Sequence, residues 1–156
     1  MGNNWKITDT LTKVFADEVP DGQGSIRLST LHRETVSCVI AYFGAADWGR
    51  YWKVSVKAPE KIETRLRRVE LVPSAYPCHK EQDDNYLRIV PGMYPDLLRD
   101  LDTEDDGADK KYLTKEVPGQ WRSLWLDVTV DAELAGGDYA IVIETETEDG
   151  EKETLK

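Results

Sequence analysis

The chain has 156 residues, enough for one well-buried core and too few for two comfortable ones. Its 30 acidic residues against 20 basic ones give a net charge of -10, a surface that repels phosphate backbones and anionic lipid and so argues against nucleic-acid and membrane-surface partners. No apolar run is long enough to span a bilayer, the N-terminal MGNNWK has no signal-type core, and Lys6 stands where a myristoylation site needs Ser or Thr. A cytoplasmic or signal-stripped protein is expected. There is no Asn-x-Ser/Thr sequon, and of the two cysteines Cys38 sits among apolar residues, where a buried free thiol is expected rather than a disulfide with Cys78.

In chain order, residues 5–20 are weakly patterned, with Trp5, Ile7, Leu11, Val14 and Phe15 as expected buried anchors, and PDGQG at 20–24 marks a loop. Residues 25–31 read as a strand with Ile26 and Leu28 inward, and 34–43 as a second with Val36, Cys38, Ile40 and Tyr42 on one face. His32 and Arg33 form the turn between them. The loop 44–49 precedes a strand at 51–56 with Trp52, Val54 and Val56 aligned, which Pro59 ends because proline cannot donate into a ladder. A strand at 65–72 loses its alternation between Leu66 and Val69, and a bulge at Arg67 and Arg68 explains the slip. From 73 to 92 the pattern is lost, apart from a short strand near 87–90. Pro95 near the start of 94–101, with Leu97, Leu98 and Leu101 at helical spacing, predicts a short helix. Residues 102–111 read as an acidic surface loop, and 112–117 lead into the next strand.

The stretch 118–144 is the most strongly patterned. Leu124, Leu126, Val128 and Val130 alternate with Trp121, Ser123, Trp125, Asp127 and Thr129, the period of a half-buried strand. A second strand holds Tyr139, Ile141 and Ile143. The seven residues DAELAGG between them are too long for a tight hairpin and predict a crossing between two packed sheets. Asp149 and Gly150 predict a hairpin turn whose returning strand, 152–156, reads as cut short. About eight short strands with at most one short helix predict an all-β antiparallel sandwich of the immunoglobulin or jelly-roll kind, one domain over 1–156.

The order of several short motifs carries a resemblance: LTKVFADE at 11–18, 26–37 with its Arg33-Glu34 pair, YPDLL at 94–98, PGQ at 118–120, LWLDV at 124–128 and AGGDY at 135–139. Together these resemble the N-terminal β-sandwich domain that precedes the catalytic barrel in family 123-type glycoside hydrolases, the β-N-acetylgalactosaminidase-like group. The resemblance implies a non-catalytic accessory domain, the N-terminal part of a longer chain whose downstream barrel would be a glycoside hydrolase working through the substrate's acetamido group. A barrel needs about 200 residues or more, so its catalytic acidic pair is not expected in this chain and no catalytic residue carries over.

Other sites fare poorly. His32 and His79 lie in predicted turns, and the adjacent Cys78 and His79 point apart on extended backbone, unlike a nucleophile and its base. Cys78, His79, Asp83 and Asp84 lack the spacing of a zinc site. DTEDDG at 102–107 imitates the start of a calcium loop, but Leu113 stands where a bidentate Glu is required. The neighbouring carboxylates Asp83-Asp84 and Asp105-Asp106 are not a pair held across a cleft. No cofactor or metal is expected. Trp121 and Trp125 on one strand face and Trp48 in a loop are the candidate contact surface, either for the downstream barrel or, in an autonomous carbohydrate-binding module, for a pyranose ring. A structural or adhesion sandwich without a sugar partner is the third reading.

Overall fold

The computed structural model describes residues 5–44, 51–78, 86–105 and 110–156. Ten strands form two five-stranded antiparallel sheets, and the described residues contain no helix. In chain order they are β1 (Trp5–Thr8), β2 (Thr35–Phe43), β3 (Tyr51–Lys57), β4 (Ile62–Ser74), β5 (Gly92–Asp100), β6 (Thr103–Asp105), β7 (Lys110–Lys115), β8 (Trp121–Val130), β9 (Val142–Thr147) and β10 (Lys152–Leu155). The first sheet runs β1-β2-β8-β4-β5 and the second β10-β9-β3-β7-β6. β8 and β9 lie in different sheets, so the 131–141 connection crosses the sandwich, as its length required.

The period-two rows meet between the sheets. Leu124, Leu126 and Val128 of β8 and Cys38, Ile40 and Tyr42 of β2 pack with Trp52 and Val54 of β3, Ile143 of β9 and Leu155 of β10. One end of this core is aromatic: the Trp5 ring stacks on Tyr42 at 4.9 Å and meets Trp52 edge-on at 5.1 Å. Its polar atoms are tied inward, with Tyr42 and Thr114 hydroxyls 2.7 Å apart and the Trp52 indole donating to the buried Glu116. A second, smaller core lies on the outer face of the first sheet, where Val14 packs on Val39, Ala41 and Trp121. β2 is therefore covered on both faces. Phe15 is buried beside this cluster, whereas Leu11, expected as an anchor, is 85% exposed. Leu11 lies in a turn whose amides are held by the Asp9 carboxylate, which directs its side chain away from the sheet.

Several expectations are corrected. Residues 94–101 form the edge strand β5 rather than a helix. Eight residues are too few for a stable isolated helix, and the open edge of β4 offers a hydrogen-bonding partner instead. Pro95 is tolerated because β5 is an edge and the register shifts beside it, between Glu70 and Leu71. There Glu70 faces Leu97 and Leu71 faces Pro95, so the extra residue is Asp96 and the bulge lies in β5. No bulge occurs at Arg67 and Arg68, since the β4–β8 register runs unbroken from Ile62↔Val130 to Val69↔Ser123. The apolar side chains change faces there: Leu66 enters the inter-sheet core, and Val69 is buried on the other side. Residues 25–31 are not a strand. They touch the C-terminal strand only through the amide of Ile26 to the carbonyl of Lys156 (3.0 Å) and the reciprocal bond from Lys156 to Gly24 (3.1 Å), then leave it. Residues 87–90 form no strand, Trp5–Thr8 does, and three residues of the expected acidic loop form β6, paired with β7. The strand containing Ile143 starts at Val142, leaving Tyr139 outside it and partly exposed. The hairpin at Asp149 and Gly150 is present, with Gly150 at φ 82.

Gly44 marks the tightest backbone approach. Its amide donates to the Gln120 carbonyl (3.0 Å), its carbonyl accepts from Gly119 (3.1 Å), and a Cβ there would lie 2.2 Å from the Val117 carbonyl oxygen. Gly44→Ala is expected to destabilise the chain by about 2 kcal/mol, because backbone must move to admit the methyl group. Gly136→Ala, where a Cβ meets nothing within 4 Å, is expected to change stability by under about 0.5 kcal/mol in the same urea titration.

Candidate functional site

The outward row of β8 is Trp121, Ser123, Trp125, Asp127 and Thr129, and the 9–20 segment covers its upper half. The Trp121 amide donates to the Ala16 carbonyl at 2.9 Å, its ring meets Phe43 at 5.4 Å, and the Lys6 ammonium sits 5.5 Å from its centre. Trp121 is 8% exposed and belongs to the second core. Trp125, two positions on, packs against the edge of that core and remains half-buried. The two tryptophans share a strand face but not an environment. Trp48 lies outside the described residues.

Below Trp125 the face turns polar. The Asp127 carboxylate accepts from the Trp125 indole N–H (2.7 Å), the Ser37 hydroxyl (2.7 Å) and the Arg67 guanidinium (2.5 Å). Register explains the convergence: Ser37 pairs with Asp127 from β2, and Arg67 pairs with Trp125 from β4. The Thr35 and Thr129 hydroxyls meet at 2.8 Å and Arg65 reaches Asp100 at 2.9 Å, so the ladder continues along the sheet. Burial pushes the Asp127 carboxyl up, but the bonds from Ser37, Trp125 and Arg67 together outweigh it, and its pKa lies below the ordinary carboxylate value. Ser37 and Arg67 hold the Asp127 carboxylate, which in turn anchors the Trp125 indole through its N–H. Sequence reading put Trp125 and Asp127 on one strand face and singled out Trp125 alone as a contact candidate; Ser37 and Arg67 are distant in sequence and come together only through strand order.

A second feature lies at the opposite end of the inter-sheet core from the aromatic cluster. A cavity of about 620 Å³ opens between residues 25–30 and 134–141, with Val36, Cys38, Leu126 and Val128 on its walls. The Arg27 and Asp138 side chains bridge the two segments at 2.8 Å, and His32 stands at the rim. Cys38 is a free, buried thiol whose pKa is pushed up to about 11, by burial first and then by the charge of Asp127. Its thiolate is scarce at neutral pH, which suits packing rather than nucleophilic chemistry.

Most of the remaining candidates lie outside the described residues. Cys78 is also a free thiol, with its sulfur 3.6 Å from the Ile89 carbonyl, while His79, Asp83, Asp84, Asp106 and Gly107 lie outside the described residues. Among the described residues no three His, Cys, Asp or Glu side chains are gathered as metal ligands. Glu104 and Asp105 of the supposed calcium loop are in β6, and Glu104 is paired with Lys53 at 2.8 Å.

Asp127→Asn is expected to cost about 1.5–3 kcal/mol at pH 7, the range for hydrogen bonds to a charged group. Because the folded-state pKa is depressed, this contribution is full above the ordinary carboxylate pKa and lost as pH falls through the lower folded value, so the variant should show a smaller loss of stability below about pH 4. Urea titrations at pH 7 and pH 3 measure both effects. In a native thiol titration at pH 8, Cys38 is expected to react at least about a hundredfold more slowly than in urea, since burial both raises its pKa and blocks access.

Comparison with known proteins places the fold. No protein-family model matches the chain, and no curated protein matches it. Among solved structures, a family 123 glycoside hydrolase from Clostridium perfringens, described for glycolipid glycan hydrolysis, matches at a TM-score of 0.61 and 9% identity. The match covers 97% of this chain and 26% of that one, so this chain spans about a quarter of that protein's length. At that identity the likeness is one of fold: the sandwich is similar to one part of a glycoside hydrolase.

Proposed function

We propose that this chain is a non-catalytic accessory β-sandwich, the N-terminal domain of a longer N-acetylhexosaminidase-like glycoside hydrolase, and that it supports a downstream catalytic barrel. The observation that carries this reading is the extent of the structural match, which takes in 97% of this chain yet only 26% of the glycoside hydrolase. The sandwich supplies a rigid body rather than chemistry: its carboxylates on the outer face, Asp127 above all, are engaged by their own neighbours.

A second reading, a glycan-binding face, is favoured by one feature. Trp125 is anchored through its indole N–H at the head of a ladder of hydroxyl, guanidinium and carboxylate groups, and an anchored ring beside polar groups is the arrangement that stacks on a sugar.

The gene is to be read past the codon for Lys156 and the full protein assayed on a chromogenic N-acetyl-β-galactosaminide, with and without residues 1–156. The accessory reading expects hydrolysis by the full protein, none by the chain alone, and a loss of thermal stability when the sandwich is removed. A gene that stops within a few codons of Lys156 ends that reading. For the glycan face, calorimetric titration of the chain with N-acetylhexosamine oligosaccharides expects binding that Trp125→Ala abolishes; absence of heat with every such oligosaccharide counts against it.

A further inference from the structure

More than half of the exposed large apolar side chains among the described residues fall at Tyr76 or within 86–97: Tyr86, Leu87, Ile89, Val90, Met93 and Leu97. Their concentration on one edge of the first sheet is unlike the scattered apolar exposure of an ordinary soluble surface. The segment that carries them is not loose. Arg88, 13% exposed, lays its guanidinium 3.9 Å from the centre of the Phe15 ring, pairs with Asp17 at 2.8 Å and also with Glu18. The Tyr94 hydroxyl donates to the Val90 carbonyl at 2.5 Å and approaches that of Arg88 at 3.3 Å, while the Tyr94 ring meets Phe15 edge-on at 5.8 Å. The charged residue is thus drawn in and its apolar neighbours Leu87, Ile89 and Val90 are turned out, the reverse of what water would select.

β5 adds a second element. It is the edge of its sheet, and its Met93 and Leu97 are exposed. Edges in free-standing sandwiches are blunted by charge, and here the charged residues begin only at Asp96 in mid-strand and continue with Arg99 and Asp100. Before Asp96, from Pro95 back through Ile89, the chain carries no charged side chain, and Met93, Val90 and Ile89 are exposed.

We infer that the 86–97 ridge, held by Arg88 and ending in the β5 edge, is the surface on which the adjoining domain of the longer chain docks. This rests on the accessory-domain reading, and the occupant follows from it: about three quarters of the glycoside hydrolase that this chain resembles lies outside the matching unit and must abut it somewhere. A pinned apolar ridge binds with little ordering cost, which suits a permanent intrachain interface. On this inference the docking surface is a different part of the chain from the Trp121 and Trp125 face, the other candidate contact surface.

Amide hydrogen exchange on the full protein and on the isolated 156-residue chain tests the inference, together with the paired substitution Leu87→Glu and Ile89→Glu in each. Amides within 86–97 are expected to exchange at least tenfold more slowly in the full protein. The paired substitution is expected to erase that protection there, while leaving the melting temperature of the isolated chain within about 2 °C, as befits exposed positions. Equal exchange of 86–97 in both proteins, with the full protein an active hydrolase, overturns the ridge as the interface and leaves the accessory reading intact. A gene without a further domain removes both.

Discussion

β8 has to be covered along its whole inner face and, on its outer face, at Trp121, and much of the molecule follows from that. It is the middle strand of its sheet, between β2 and β4, and its inner row Leu124, Leu126 and Val128 is closed by the second sheet. Burying each such side chain stabilises the fold by roughly 1.5–3 kcal/mol, so this row alone makes a two-layer structure favourable. The outer row begins with Trp121, too large to leave in water, and has no third sheet to cover it. The chain solves this locally by folding 9–20 back over β2 and β8, with Val14 inserted among Val39, Ala41 and Trp121. The outer surface of the first sheet is divided as a result into a covered half and an open, hydrogen-bonded half.

The two ends of the inter-sheet core differ in the same way. At one end the large rings of Trp5, Tyr42 and Trp52 fill the space, and the polar atoms of Tyr42 and Trp52 are matched to Thr114 and Glu116. At the other end the side chains are aliphatic and the closing segments, 25–30 and 134–141, are irregular, so the space between them opens into a cavity. Aromatic rings hold the sheets together at the first end; a surface ion pair between Arg27 and Asp138 bridges the second. Both partners of that pair are well exposed, where screening by water leaves it little energy.

Each outward feature has a chemistry that its position in the fold explains. Asp127 collects donors because β2, β8 and β4 are adjacent in register, which makes the open half of the sheet a rigid polar surface around Trp125. The 86–97 segment presents apolar groups because its one cation, Arg88, is consumed by Phe15, Asp17 and Glu18 on the covering segment. The same stretch, 9–20, therefore both seals Trp121 and sets the attitude of the ridge. A change in that stretch would be felt at both.

Period-two alternation was sufficient to read β2, β3 and β8 and the inward row of each, loop length gave the sheet-to-sheet crossing after β8, and the Asp-Gly pair gave the hairpin at Asp149, because those features depend on neighbours in sequence. The alternation also determined that the fold is all-β. The helix read at 94–101 failed because the spacing of Leu97, Leu98 and Leu101 competes with something sequence does not display, the unpaired edge of β4. The strand read at 25–31 failed although its alternation is real: its backbone bonds to Lys156 at Gly24 and Ile26 and continues into no ladder. Trp121 and Trp125 were legible as residues of one face, yet only the return of 9–20 decided that the first is core and the second is surface. The Asp127 cluster and the Arg88-held ridge lie further still from what sequence alone determines, since each joins residues dozens of positions apart whose meeting depends on strand order, and strand order is settled by which faces must be buried together.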